Sequence, residues 1–249
     1  MLNLIHFIED NGNITPEIIR DMKNSKDKMR IQNPVGVTNL MELCEKYKNI
    51  TPEIIKELKD EIGKQDNWGC TALMYLCKNN SHITPELIRE LKNEIGKQDR
   101  FGYTALMYLC QYDKSITPEI IREFKDEMRI QDRWGNTALM YLCEHNKSIT
   151  PELIHELIDE IKIKGNNEST VFMCLCINNI KNITPEIIRI FKEKKEISSD
   201  EIYYLINYNI KYITPEIFYE LKDSLKESAE LKDCMSINNI KLFYSKFTK

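Results

Sequence analysis

Residues 83–92 read ITPELIRELK and residues 69–77 read GCTALMYLC. Both phrases return at a 33-residue step, as ITPEIIREFK at 116–125, ITPELIHELI at 149–158, GYTALMYLC at 102–110 and GNTALMYLC at 135–143. Seven Thr-Pro-Glu triplets mark about seven units, and the insertions and deletions lie outside the regular middle. The shared step predicts a tandem array in which each unit contacts its neighbours, without one common core.

Each ITPE phrase has the features of a helix start. Thr84 offers a capping hydroxyl, Pro85 needs no amide hydrogen bond in the first turn, and Glu86 lies near the positive end of the helix dipole. The following apolar residues fall on one face: Leu87, Ile88, Leu91 and Ile95. Thr71 is the matching cap of the helix in the companion phrase. Each unit is therefore predicted to be a turn, a short helix, a loop and a longer helix.

The period, the two helices and the turn Asp-x-x-Gly-x-Thr-Ala-Leu together resemble the ankyrin repeat. The matching residues are Asp66, Gly69, Thr71, Ala72 and Leu73, then Asp99, Gly102, Thr104, Ala105 and Leu106, then Asp132, Gly135, Thr137, Ala138 and Leu139. The resemblance implies an all-α, ankyrin-like helix-turn-helix solenoid with short hairpin or turn tips between the central repeats.

This chain departs from the family at one position of the first helix. The family usually has histidine after the leucine, whereas the chain has Met41, Met74, Met107, Met140 and Met173. The usual side-chain hydrogen bond of that histidine is therefore expected to be absent. Glu168 also stands where a turn glycine is expected.

One repeat domain is predicted over 1–249. It comprises an N-terminal capping unit at 1–31, ankyrin-like repeats at 32–197, and a degenerate helical repeat with a C-terminal cap at 198–249. The last part lacks a glycine turn, and an open end of a stacked array exposes an apolar face that needs a cap.

Charge and composition limit the classes of partner that we expect this chain to bind. The net charge of -4 and the pI near 5.7 lack the basic excess that binds phosphate backbones, so we expect no nucleic acid partner. Residues 1–13 contain only a short apolar run, so we expect neither a secretion signal nor a membrane contact. A monomer in the cytoplasm is predicted. The abundance of Ile, Lys and Asn suits an AT-rich genome; if the source is a virus or an intracellular parasite, the host cytoplasm and a host-virus interaction become the expectation.

Chemistry-bearing residues give no catalytic pattern. Five cysteines share one repeat position, namely Cys44, Cys77, Cys110, Cys143 and Cys176. Neighbouring units lie about 10 Å apart, which is too far for a disulfide or a shared zinc, so these thiols are predicted to pack between helices. The four histidines lie in different units with no acid or nucleophile repeated beside them. We expect no enzyme activity, no cofactor and no metal.

The family resemblance implies a non-enzymatic scaffold that binds a protein partner on a concave face formed by turn tips and first helices. The tips vary while the core does not, and each of the three central tips carries a large aromatic residue beside its turn glycine. The predicted partner-binding residues are Asn67, Trp68, Cys70, Lys78, Arg100, Phe101, Tyr103, Tyr112, Arg133, Trp134, Asn136 and His145. Tyr75, Tyr108 and Tyr141 are instead assigned to packing, with satisfied hydroxyl groups.

Three alternatives stay open. The tip aromatics Trp68, Phe101 and Trp134 either bind a partner or pack on the neighbouring turn. The chain could also be an adaptor that recruits a bound target to a ubiquitin ligase or other machinery through its C-terminal region. A third hypothesis is a structural array that assembles with itself through its open ends.

Overall fold

The computed structural model describes residues 14–24, 32–79, 82–198, 201–202, 204–206 and 210–227. These residues form helices and turns, with one isolated β-bridge between Gln32 and Thr38. The chain divides into two compact units, Met1–Trp134 and Gly135–Lys249. The predicted all-α, ankyrin-like class is confirmed. The single repeat domain and its internal boundaries remain a prediction.

The helices of the first unit alternate between two types. They are α1 (Pro16–Asn24), α2 (Asn39–Lys46), α3 (Pro52–Glu57), α4 (Ala72–Asn79), α5 (Pro85–Glu90), α6 (Ala105–Tyr112) and α7 (Pro118–Arg122). We call α2, α4 and α6 first helices, and the Pro-led helices second helices. First helices pack on first helices, α2 on α4 and α4 on α6, while α1 packs on α3 and α3 on α5.

The second unit repeats this alternation in four described helices, α8 (Ala138–His145), α9 (Pro151–Glu156), α10 (Val171–Asn178) and α11 (Pro185–Glu193). A further Pro-led helix, α12 (Pro215–Glu227), follows them. Within this unit α8 packs on α10, α9 on α11, and α11 on α12. The predicted C-terminal cap falls largely on residues 228–249, which lie outside the described residues.

Threonine lies at the N-cap of the described helices as predicted, and its hydroxyl caps most of them, although those of Thr117 and Thr137 make no capping hydrogen bond. The Thr104 hydroxyl accepts a hydrogen bond from Met107 N at 3.3 Å, and Thr84 does the same for Leu87 N at 3.5 Å. Leu106 and Leu109 then lie fully buried between neighbouring first helices. Capping fixes where each helix begins, and burial of its apolar side holds it against the next repeat.

The second helices are shorter than the sequence predicted. The α5 helix has 6 residues and is followed by a three-residue 3-10 turn at Lys92–Glu94, whereas the first helix α4 has 8 residues. The prediction that the second helix is the longer one is wrong for these repeats. The same interruption shifts the buried face, since Glu94 is fully buried and the predicted core residue Ile95 is half-buried.

The 3-10 turn places the side chain of its last residue, Glu94, in the core. Glu94 Oε2 accepts from Leu73 N and Glu94 Oε1 accepts from Gly63 N, both at 2.7 Å. The carboxylate therefore joins the start of its own first helix to the end of the preceding repeat. Burial raises the pKa of Glu94, and these hydrogen bonds only partly oppose that shift.

This buried glutamate recurs at the repeat step. The first-helix amides of Leu40, Leu106 and Leu139 each donate at 2.7 Å to Glu61, Glu127 and Glu160, respectively. The methionines in place of the family's histidine are packed instead, with Met74 and Met107 almost fully buried. In this chain a carboxylate from the 3-10 turn binds the helix start, and in one unit the Met41 thioether also accepts a hydrogen bond there, from Thr38 N at 3.4 Å.

The hairpin tips close through main-chain hydrogen bonds, and glycine occupies their left-handed position at Gly36, Gly69, Gly102 and Gly135. The first, second and third tips are residues 33–37, 66–70 and 99–103. At the second tip, Asp66 N donates to Cys70 O at 3.0 Å and Gly69 N donates to Asp66 O at 3.0 Å. Gly69 has φ +83, and a Cβ there would lie 3.0 Å from Asp99 Cα of the next tip. The left-handed backbone at Gly69 disfavours a side chain, and the close approach of the next tip leaves no room for one there. Glu168, at the corresponding position of a later turn, adopts φ 58 and keeps the turn hydrogen bond to Gly165 O.

Ion pairs join second helices of neighbouring repeats. Arg20 binds Glu57 at 3.0 Å, and Arg89 binds Glu123 at 2.6 Å. In each pair a basic residue of one repeat meets an acid of the next. The second unit has the same arrangement in Arg189 and Glu220 at 3.3 Å. These exposed pairs support the register of stacking more than they add stability.

The repeated cysteines are buried, as the packing interpretation predicted. Cys44, Cys77, Cys110, Cys143 and Cys176 are each at most 1% exposed. Burial raises the pKa of the Cys77 thiol well above its usual value, so the thiolate is disfavoured. These side chains serve as small apolar residues between first helices.

Candidate functional site

The hairpin tips of the first unit are joined into one ladder by main-chain hydrogen bonds. Arg100 N donates to Trp68 O at 2.8 Å, and Arg133 N donates to Phe101 O at 3.0 Å. Asn67 N donates in the same way to Val35 O at 2.9 Å. Residues at one tip position are thus held in file by the backbone of the next tip.

This file carries large apolar side chains that face solvent. Trp68, Phe101 and Trp134 are 47%, 49% and 51% exposed. Phe101 and Trp134 stack with ring centroids 6.1 Å apart and an interplanar angle of 16°. Phe101 and Trp134 therefore contact each other across neighbouring turns, as the packing interpretation holds, yet about half of each side chain remains exposed. Both interpretations of the aromatics stay compatible with this geometry.

Val35 is a fourth member of the file and was missed by the sequence analysis. It is 40% exposed and lies 33 residues before Trp68. The repeat step was the signal that could have found it, but an aliphatic residue in a degenerate unit does not stand out. We call Val35, Trp68, Phe101 and Trp134 the tip row.

Two buried aspartates hold the base of the tip row. Asp66 Oδ1 accepts from Trp68 N and Cys70 N, each at 2.8 Å, and the Tyr75 hydroxyl donates to Asp66 Oδ2 at 2.9 Å. Asp99 binds Phe101 N, Tyr103 N and the Tyr108 hydroxyl in the same way, at 2.8, 2.9 and 2.7 Å. The prediction that these tyrosines pack with satisfied hydroxyl groups fits this geometry. Burial and the aspartate raise the pKa of Tyr75.

A groove of about 230 Å³ opens between the second and third tips. Its lining residues are Asp66, Trp68, Cys70, Met74, Tyr75, Lys78, Asp99, Phe101 and Tyr108. We call it the tip groove. Tip residues Trp68 and Phe101 belong to its walls, and residues of the first helices α4 and α6 complete it. Four of the predicted partner-binding residues, Trp68, Cys70, Lys78 and Phe101, line this one cavity.

Polar groups of the tip groove differ in their availability. The Lys78 ammonium lies 5.7 Å from the centre of the Tyr108 ring. Burial, with help from Asp66 and Asp99, raises the pKa of Cys70 to about 12, so this thiol stays protonated. Cys70 is therefore an apolar contact and not a nucleophile.

The other candidates of the first unit surround the groove without lining it. Tyr103 packs against Tyr108 with centroids 5.1 Å apart and meets the edge of Trp134 at 6.1 Å. Tyr112 is 48% exposed and stacks on Tyr108 at 6.3 Å. Asn67, Arg100 and Arg133 are exposed on the tips.

Two predicted residues, Asn136 and His145, belong to the second unit. Asn136 Nδ2 donates to the Tyr141 hydroxyl at 3.5 Å. His145 stacks on the Tyr141 ring with centroids 6.0 Å apart and an interplanar angle of 12°. Within the second unit these two side chains therefore meet on one tyrosine. Their membership in a shared binding site stays a prediction.

Metal sites and membrane spans are two other kinds of feature that the described residues could contain. No three His, Cys, Asp or Glu side chains in that part of the chain are placed to hold a metal ion. No described helix is long and apolar enough to cross a membrane. What the geometry presents is a helical repeat protein with an exposed apolar row on its turn tips.

Comparison with known proteins assigns this class to a family. A family profile described as ankyrin repeats in three copies matches the chain at residues 40–123 and 77–162. The chain is an ankyrin repeat protein, as its sequence motifs indicated. This family is generally a non-catalytic, protein-interaction fold. No curated protein sequence matches the chain.

Solved structures with a similar backbone include two of interest. One is a chain from the complex of the Bd0816 predatory endopeptidase of Bdellovibrio bacteriovorus with immunity protein Bd3460, at 23% identity and a TM-score of 0.46, covering 64% of this chain and 84% of that chain. The other is EF0377, an ankyrin repeat protein, at 16% identity and a TM-score of 0.48, covering 76% of this chain and 96% of that chain.

Proposed function

We propose that this protein is a non-enzymatic scaffold that binds a protein partner on the face formed by the hairpin tips and first helices of its first unit. The observation that carries the proposal is the tip row, because four large apolar side chains in file each leave 40% or more of their surface in water. Folding gains little from such exposure, whereas a partner that covers these rings gains their apolar area.

Preorganisation strengthens the case for binding. Main-chain hydrogen bonds fix the spacing of the tips, and Asp66 and Asp99 lock the turns that present Trp68 and Phe101. Rigid aromatic side chains lose little conformational entropy on binding and are typical anchors of protein interfaces. The ring stack of Phe101 on Trp134 therefore orients the surface and does not remove it from a partner's reach.

Affinity capture with mass spectrometry tests the proposal. The intact chain is compared with the triple variant Trp68→Ala, Phe101→Ala, Trp134→Ala. A matched control replaces two other exposed apolar residues, Ile177→Ala and Tyr219→Ala, which are 56% and 64% exposed. We expect a protein that the intact chain and the control both retain and the triple variant loses. Equal recovery with the triple variant would place the site elsewhere.

Folding of the triple variant must be shown first. Because its three rings are half exposed, we expect its circular dichroism and its melting cooperativity to be retained. A large loss of either would support the packing interpretation of these rings. The adaptor and self-assembly hypotheses concern the C-terminal region and the chain ends, and those segments lie largely outside the described residues.

A further inference from the structure

Both carboxylates of the tip groove are already engaged. Asp66 accepts three hydrogen bonds, from Trp68 N, Cys70 N and the Tyr75 hydroxyl, and Asp99 repeats this set 33 residues later. They are 7% and 8% exposed. A carboxylate offers about four lone-pair sites, so each has little capacity left for a ligand. The negative charge of the groove serves the hairpins.

The basic side chains beside the groove differ from these carboxylates, because they are not paired with an opposite charge in the described residues. In the described part of the chain no carboxylate pairs with Lys78 or Arg100, and both side chains are exposed. Lys78 lines the groove, and Arg100 lies between Asp99 and Phe101, which line it too. On the second helices the arginines are paired, as Arg89 is with Glu123 at 2.6 Å. Unpaired positive charge thus occurs beside the apolar tips.

The interior of the groove suits an uncharged, bulky side chain. Trp68 and Phe101 form walls that are about half exposed, while Met74 at the base is almost fully buried. Lys78 already places its ammonium over the Tyr108 ring at 5.7 Å. A second cation entering here would meet that charge, so aromatic faces alone do not make this a cation site.

From these three observations we infer that the tip groove recognises a short acidic segment of the partner, with one large apolar side chain inserted between Trp68 and Phe101 and neighbouring carboxylates on Lys78 and Arg100. This inference rests on the proposed function and specifies the chemistry of the partner. The apolar insertion supplies buried area, and the carboxylates supply orientation and a faster encounter.

Selection from a phage library of random peptides, about twelve residues long, tests the inference on the full chain. We expect enriched sequences to place Asp or Glu close to Leu, Ile, Met, Phe or Trp. Binding of the best synthetic peptide is then followed by fluorescence anisotropy. The double variant Lys78→Ala, Arg100→Ala should bind it about tenfold more weakly, a loss of about 1.4 kcal/mol for the two exposed pairs together.

Matched variants separate this effect from general charge. Lys92→Ala, Lys125→Ala removes two exposed lysines that follow second helices of the same unit and should leave the affinity unchanged. Lys78→Glu, Arg100→Glu should shift enrichment from acidic to basic peptides. Basic or uncharged peptides enriched by the natural chain would overturn the inference, and so would equal affinity of Lys78→Ala, Arg100→Ala.

The outcome also separates this inference from the proposed function. Peptides that need Trp68 and Phe101 but are indifferent to Lys78 and Arg100 would refute the acidic segment and keep the binding surface. Peptides that bind Trp68→Ala, Phe101→Ala as well as the intact chain would count against both. An absence of any enriched sequence would also count against both.

Discussion

Replacing Glu94 by alanine removes the acceptor of two main-chain amides. Glu94 is fully buried and binds Gly63 N and Leu73 N, each at 2.7 Å. An amide left without a partner costs about 1 to 3 kcal/mol, so the loss is about 2 to 6 kcal/mol before any compensation. Compensation comes from the carboxylate itself, because the raised pKa of Glu94 shows that burying its charge is unfavourable. We expect Glu94→Ala to lower the free energy of unfolding by about 2 to 4 kcal/mol.

Urea unfolding followed by far-ultraviolet circular dichroism measures this loss. Glu94→Gln keeps one acceptor oxygen and should lose about half as much, while Asn93→Ala changes the exposed neighbour and should stay within about 0.5 kcal/mol. If Glu94→Ala unfolds at the same urea concentration as the natural chain, the glutamate does not hold the helix start and the account of the repeat core is wrong.

Three further predictions concern the same repeats. Gly96 and Gly102 share a left-handed backbone, with φ +84 and +85, but only at Gly102 would an added Cβ meet Asp132 Cα, at 2.9 Å. Gly102→Ala should therefore lower the unfolding free energy by about 1 to 3 kcal/mol more than Gly96→Ala does, and equal losses in urea would contradict this. Leu106→Ala in the buried core should cost about 2 to 5 kcal/mol and lower the melting temperature, whereas an unchanged melting temperature would argue against that packing. The folded pKa of Glu94 lies above its unfolded value of about 4.3, so the native state binds more protons there and loses stability as pH rises through the folded pKa. The stability that Glu94→Gln loses relative to the natural chain, measured in urea, should therefore become smaller from about pH 4 to pH 7. A loss that grows over this range would show that the pKa shift has the opposite direction.

The repeat, its caps and most of its core could be predicted from the sequence because they follow local rules. Thr84 before Pro85 marks a helix start in any context, and Leu87, Ile88 and Leu91 recur at helical spacing. All three apolar residues are buried as predicted. A fixed period multiplies such evidence, since each repeat confirms the same assignment.

Tertiary features escaped the sequence analysis because their cause lies in another repeat. Glu94 looks like a surface residue until Gly63 of the preceding repeat and Leu73 are brought to its two oxygens. The second helix was predicted to be longer because its own sequence gives no sign of the 3-10 turn. That turn places the Glu94 carboxylate against Gly63 and Leu73. Val35 was missed for a similar reason, because only the file of neighbouring tips gives an exposed valine a meaning.

The sequence predicted where the candidate site residues lie along the repeats, but not which of them lie together around one groove. The repeat step placed Trp68 and Phe101 on successive tips, and the structure shows them as walls of one groove. That groove also depends on Tyr75 and Tyr108, whose hydroxyl groups bind the tip aspartates from the first helices. Sequence periodicity gives such partners a common register and says little about which side chains enclose a cavity.

The central claim is that the tip row binds a protein partner, and the most direct test is a dissociation constant. Calorimetric titration of a captured partner compares the intact chain with the folded variant Trp68→Ala, Phe101→Ala, Trp134→Ala. Loss of an interface aromatic that acts as an anchor costs about 2 kcal/mol, so even one anchor among the three rings predicts an affinity at least about thirtyfold weaker. An unchanged dissociation constant would contradict it and move the binding site away from these tips.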